Sequence, residues 1–305
     1  MTSTASAAVP KEKWADRVRI FSGSPARPRE LGQDEISALL DCSGLPELAN
    51  PKTEIETAAI AEVAAALNEY CQIMCGLGQL AFPAERVHLY SEEDFAKKSG
   101  GRFDGKGSLG HVQLRRGWPM ADLLALLAHE MFHAVSYLWL DLWEPDAVSC
   151  DGIKWPFMTQ RRAGMVLIDP SWHTWLPHFH GLNEGVTEMS AMVVRQMIAK
   201  RSKLLDEAGR QRLARFVVSD PLVAFTERLL AVASGPGHDT IAALRLLVGD
   251  CLKGTDEFLT LLETKQPGAT AILRCTGATP RELAVAATSL GFSDLARAIS
   301  ACCVP

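Results

Sequence analysis

The chain has 305 residues, 48% of them hydrophobic, and its 31 Lys and Arg against 36 Asp and Glu leave a formal charge of −5. A chain this long and apolar buries a substantial core, which excludes a disordered tail or a small disulfide-stapled peptide. The negative balance offers no global positive field to nucleic acid or anionic lipid, so any activity has to come from a local site.

Residues 1–30 are rich in Ser, Ala, Pro and Arg without apolar periodicity and read as a loose arm. The opening stretch has neither a basic segment nor a continuous apolar run, so it is no classical signal peptide. The longest apolar runs, such as Leu123 to Ala128, fall well short of the roughly 18 residues of a membrane span. The expectation is a soluble protein, cytoplasmic or exported without a classical signal, that has no membrane and no nucleic-acid partner. Residues 53–80 carry Ile60, Val63, Leu67, Cys71 and Met74 at helical spacing and predict a long helix. Residues 86–90 alternate as a strand, a Gly-rich turn covers 99–107, and 110–116 reads as a second strand whose charged positions suit a sheet edge. From Met120 to Trp139 the pattern is helical again, with Pro119 ahead of it and Asp122 in its first turn. Residues 143–182 lack sustained periodicity and hold Trp143, Trp155, Trp172 and Trp175, as a long ordered loop with short strands would. Helical segments follow at 183–208, 209–218, 220–234, 238–253, 255–264, 279–290 and 292–302, separated by Gly, Pro or Asp breaks. Eight cysteines are scattered along the chain as reduced core thiols would be. Cys71 and Cys75 share a helical face but have no second Cys or His pair of metal-site spacing nearby.

The chemistry concentrates in His129-Glu130-Met131-Phe132-His133, an HExxH pattern inside the strongly apolar helix. At about 100° per residue, positions four apart lie within about 40° of each other, so both imidazoles leave one face and can chelate a metal. Glu130 sits one position round the helix, where it reaches a metal-bound water rather than the metal. A catalytic site of this kind needs a third protein ligand and an open position. The best source downstream is Asn183-Glu184-Gly185-Val186-Thr187-Glu188, which starts a helix with Glu184 and Glu188 on one face. One carboxylate of that pair can ligate while the other orients a ligand histidine. His178 and His180, or Asp141, Glu144, Asp146 and Asp151, stand in reserve as ligands. A metzincin arrangement fails, because position 136 is Ser136 rather than Gly and position 139 is Trp139.

These residues resemble the gluzincin branch of the zincin metallopeptidases, whose thermolysin-like members pair HExxH with NExxSD on a following helix; HEMFH and NEGVTE are the counterparts here. The resemblance covers roughly residues 86–190 and extends to peptidase MA-like families that share an HExxH and a downstream EG. It implies Zn²⁺ held by His129, His133 and Glu184, with Glu130 as the catalytic base. Glu188 stands in place of the family's Asp behind a ligand histidine, and Asn183 matches the Asn ahead of the ligand. Two departures stand out. The connection from His133 to Glu184 is much longer than in thermolysin-like enzymes, and no downstream motif identifies the oxyanion-stabilising His or Tyr. Tyr137, His180 and His238 are the candidates for that role, with His173 and His178 behind them.

The implied fold is α+β and zincin-like. It is bilobal, with a small mixed sheet and the HExxH helix in an N-terminal lobe and a mainly helical C-terminal lobe. The implied divisions are an arm at 1–30, the N-terminal lobe at 31–142, a Trp-rich connecting insertion at 143–182 and the helical lobe at 183–305. The implied activity is zinc-dependent endopeptidase hydrolysis of a protein or peptide by a metal-activated water, with Glu130 as general base and strand 110–116 pairing with extended substrate. Two alternatives stand beside it: a zinc-binding interaction module without proteolysis, and a secreted effector protease acting on one protein.

Overall fold

The structure, a computed structural model, describes residues 12–13, 18–24, 27–32, 34–36, 51–77, 80–81, 84–94, 105–108, 111–150, 153–163, 166–167 and 179–302. The expected loose arm contains three strands, β1 (Glu12–Lys13), β2 (Val18–Ser24) and β3 (Arg27–Glu30), which corrects that reading. β2 and β3 pair antiparallel, and Val18 and Ile20 are buried. β2 earns its order from a partner strand far along the chain, a contact that local periodicity does not register.

Thr53 opens α1 (Glu54–Cys75) through a reciprocal capping box with Glu56, and Gly76 closes it at φ 64°. The short β4 (Leu80–Ala81) runs parallel to β1. A three-stranded sheet follows, built of β5 (Val87–Tyr90), β6 (Gly105–Ser108) and β7 (His111–Arg115) in the order β5-β7-β6. β7 is therefore central, parallel to β5 and antiparallel to β6, and not the edge its charges suggested. Those charges sit at its end and are used up locally. Arg115 pairs with Glu92 and lies over the Trp118 ring, and Arg116 pairs with Glu56 at the start of α1. The end of the Gly-rich segment supplies the outer strand β6.

The HExxH segment lies in α2 (Met120–Val135), which Pro119 precedes and Ser136 ends in an extended conformation. Its residues are buried on nearly every side because it packs on α1, on β6 and β7, and on the helices that follow. Beyond it the expected long loop is instead a hairpin of β8 (Leu138–Cys150) and β9 (Ile153–Ala163), followed by β10 (Val166–Leu167). With β2 and β3 they form a sheet of order β10-β9-β8-β2-β3, in which β2 runs parallel to β8. Register shifts at Trp139/Leu140 and between Trp143 and Val148 break the two-residue alternation, so the strands carry no clean pattern in sequence. Trp139, Trp143 and Trp155 lie on this hairpin, whereas Trp172 and Trp175 fall outside the described residues.

The rest is helical: α3 (His180–Arg201), α4 (Glu207–Arg215), α5 (Asp220–Ser234), α6 (Thr240–Lys253), α7 (Glu257–Lys265), α8 (Ala269–Arg274), α9 (Pro280–Ser289) and α10 (Ser293–Ala301). The seven expected segments are all present, 220–234 with the bounds expected and the others with shifted ends, and α8 is an additional short helix. The chain is an α+β protein. One apolar core runs from Ala59 on α1 through α2 and α3 to Ile299 on α10, so the parts before and after the hairpin share an interior.

Candidate metal centre

α2 presents His129 and His133 from one face, and α3 crosses it so that Glu184 meets both. The His129 and His133 Nε2 atoms are 3.2 Å apart, and Glu184 Oε2 lies 3.5 Å from the first and 3.4 Å from the second. Two imidazole nitrogens and one carboxylate oxygen thus converge on a single point, an arrangement able to hold a metal ion. His129 is only 6% exposed, so the site has one dry wall.

A layer of hydrogen bonds behind the cluster fixes which atoms face it. His129 Nδ1 meets Glu188 Oε2 at 2.9 Å, which turns Nε2 toward the cluster. Glu188 is fully buried, and both its oxygens are saturated. Arg195 donates to Oε1 at 2.7 Å and to Oε2 at 3.0 Å, and the Val218 backbone N–H donates to Oε1 at 2.9 Å. His133 Nδ1 faces the Thr187 hydroxyl at 3.3 Å and the Asn183 amide at 3.4 Å. Asn183, Glu184, Thr187 and Glu188 therefore all serve the two histidines from one face of α3, as i, i+3 and i+4 spacing allows.

Charge is balanced within this cluster. Burial opposes a proton on His129, but hydrogen bonds to Glu184 and Glu188 and the field of Glu130 outweigh it and push its pKa up to about 10. Burial likewise opposes charge on Glu184 and Glu188. The two imidazoles nevertheless hold Glu184 well below the usual carboxylate range, and His129 with Arg195 pulls Glu188 down to about 2. Glu130 is 9% exposed and, among the described residues, its carboxylate makes no hydrogen bond or ion pair, which leaves its lone pairs uncommitted.

The three residues weighed for an oxyanion role go to different places. His180 is the first residue of α3, half-exposed, with Nδ1 3.8 Å from Glu184 Oε1, so it stands beside the cluster. Tyr137 follows the end of α2. Its backbone N–H donates to Cys251 O, its ring lies where a Cβ on Gly254 would be, and its side chain hydrogen-bonds Arg19. His238 precedes α6, whose far end at Cys251 touches Ser136 and Asn183. The helix from Thr240 to Cys251 alone spans roughly 17 Å along its axis at about 1.5 Å per residue, and His238 lies before its start. His173, His178 and Asp151 lie outside the described residues, as do the side chains of Asp141, Glu144 and Asp146.

Two contributors were missed in the sequence. Arg195 lies seven residues after Glu188, two turns on along the same face. The signal was an Arg on the same helical face as Glu188, flanked by Val194 and Ile198, which are both buried. The other is Gly185, next to Glu184. A Cβ there would stand 2.0 Å from Thr226 Oγ1 on α5, so the glycine is what lets α5 press against the turn that carries Glu184. No protein family, curated protein or solved structure matches the chain. Among the described residues, no helix is long and apolar enough to cross a membrane.

Proposed function

We propose that the chain is a zinc-dependent metallopeptidase of gluzincin type, an endopeptidase with a zincin-like bilobal arrangement whose substrate is a protein or peptide. The observation that carries this reading is the ligand triangle of 3.2, 3.4 and 3.5 Å. Three corners of a tetrahedron with bonds of roughly 2.0–2.1 Å stand about 3.3 Å apart, which is the spacing zinc requires of His and carboxylate donors. The buried carboxylate behind His129 supports it further, because such partners are what hold a ligand imidazole in its metal-binding tautomer.

His129, His133 and Glu184 would hold the ion, which when bound supplies a Lewis acid that polarises a carbonyl and acidifies water. Glu130 does the proton work. Its carboxylate would take a proton from the attacking water and hand it to the departing amine nitrogen, the role its place one position round α2 from His129 allows. His180, on the rim beside Glu184, is the best placed of the three residues weighed to donate to the developing oxyanion. With β7 inside its sheet, the edges among the described residues are β5 and β6, and β6, which lies against α2, is the one an extended substrate would join.

The test is metal content together with hydrolysis of a denatured protein. The wild type is expected to carry about one zinc per chain, and Glu130→Gln to keep the zinc and lose hydrolysis. A protein that takes up no zinc, or a Glu130→Gln variant as active as wild type, refutes the reading.

A further inference from the structure

We propose that Arg195 is a positioning residue for the metal centre, acting through Glu188 to hold His129 in its ligating orientation; the inference rests on the metal reading above. Four hydrogen bonds converge on the buried Glu188 carboxylate, and Arg195 makes two of them as a fork. A carboxylate gripped on both oxygens cannot rotate, so the oxygen facing His129 Nδ1 stays in place. With the fork gone, only the Val218 N–H and His129 itself would restrain Glu188.

The guanidinium has a second duty that ties this grip to the fold. Its Nε donates to Ala125 O at 3.3 Å, one turn before His129 on α2, and NH1 donates to Phe216 O at 2.9 Å, with the Phe216 ring beneath the guanidinium at 5.2 Å. One side chain thus joins α2, which carries two ligands, to α3, which carries the third, and to the 216–218 segment between α4 and α5. Arg195 is fully buried, and its place two turns past Glu188 on the same face lets it reach all three. A guanidinium suits this task better than an ammonium, because only its planar fork satisfies both carboxylate oxygens and two carbonyls together.

The experiment is a double-mutant cycle read by zinc affinity and by the visible spectrum of the cobalt-substituted protein, neither of which needs turnover. Arg195→Met is expected to weaken zinc binding about 10–100-fold, the range seen when outer partners of metal-bound histidines are lost. Glu188→Gln is expected to do the same. The double variant Glu188→Gln/Arg195→Met should lose no more zinc affinity than the worse single, because what the arginine does for His129 passes through the carboxylate. The double also leaves no unpaired buried charge, so it stays informative if Arg195→Met alone fails to fold. Arg195→Lys keeps the charge without the fork, and a loss of several-fold with a changed cobalt spectrum is expected. Wild-type affinity and spectrum in Arg195→Lys, or a double variant whose loss is the product of the two singles, overturns the inference. Wild-type protein that binds neither zinc nor cobalt instead overturns the metal reading itself.

Discussion

Gly185→Ala puts two physical effects in opposition, and the structure decides between them. In an isolated helix, alanine in place of an interior glycine stabilises by about 1 kcal/mol. Here the new Cβ would stand 2.0 Å from Thr226 Oγ1, 3.3 Å from Thr226 Cβ and 3.4 Å from Leu222 O. Thr226 is fully buried, so its hydroxyl has nowhere to swing. To reach the 3.4 Å at which ordinary contact begins the hydroxyl must retreat by 1.4 Å, and with the site fully packed α3 and α5 must part to allow it. Overpacking of this kind costs about 1–3 kcal/mol, and a contact this short belongs at the upper end. The expected net is a loss of about 2 kcal/mol in urea denaturation, the residue of about 3 from overpacking against about 1 from propensity. Glu184 is the preceding residue, so zinc affinity should fall with it. Thr226→Ala in the Gly185→Ala background removes the clashing atom and is expected to restore most of both losses. A Gly185→Ala protein as stable as wild type or more so, or a double variant no better than the single, refutes the packing argument.

The elevated pKa of His129 gives a pH signature in two measurements. In metal-free protein this value, about 10, exceeds the roughly 6.5 of an unfolded histidine, so the stabilisation is full below about 6.5 and is lost as pH rises through 10. Urea midpoints of the metal-free protein should therefore fall across that window. Zinc must displace the same proton, so calorimetric affinity should climb by up to about tenfold per pH unit between pH 7 and 9; a flat profile contradicts the proton balance. Tyr70→Phe removes the buried hydrogen bond from the Tyr70 hydroxyl to Ser190 Oγ, which joins α1 to α3. The expected cost is about 1–2 kcal/mol by denaturation, and an unchanged midpoint refutes it. Glu184→Ala should abolish zinc uptake while Glu130→Gln leaves it intact, a contrast that metal analysis reads directly.

Much of the centre was legible because its logic is local. His129 and His133 sit four apart on one helix, Glu184 and Glu188 four apart on another, and helical periodicity alone puts each pair on one face. The helices after residue 180 were legible for the same reason, with caps and breaks marking their ends. Pairing between strands was not. β2 is ordered by β8 and scrambled alternation hides the β8–β9 hairpin. β7 read as an edge because its terminal charges were visible and its partner β6, drawn from a Gly-rich stretch, was not.

The sequence by itself determined which residue types can chelate and which helix each rides on, because i, i+4 geometry is a property of the helix and not of its neighbours. The spacing alone left open which of Glu184 and Glu188 would face a metal, and the family resemblance pointed to Glu184. The crossing of α2 and α3 brings Glu184 Oε2 to both Nε2 atoms and Glu188 to the back of His129. The same crossing buries Arg195 against Glu188 and puts the Tyr137 ring beside Gly254. Distances between elements depend on packing across the whole core, and no spacing within one element encodes them.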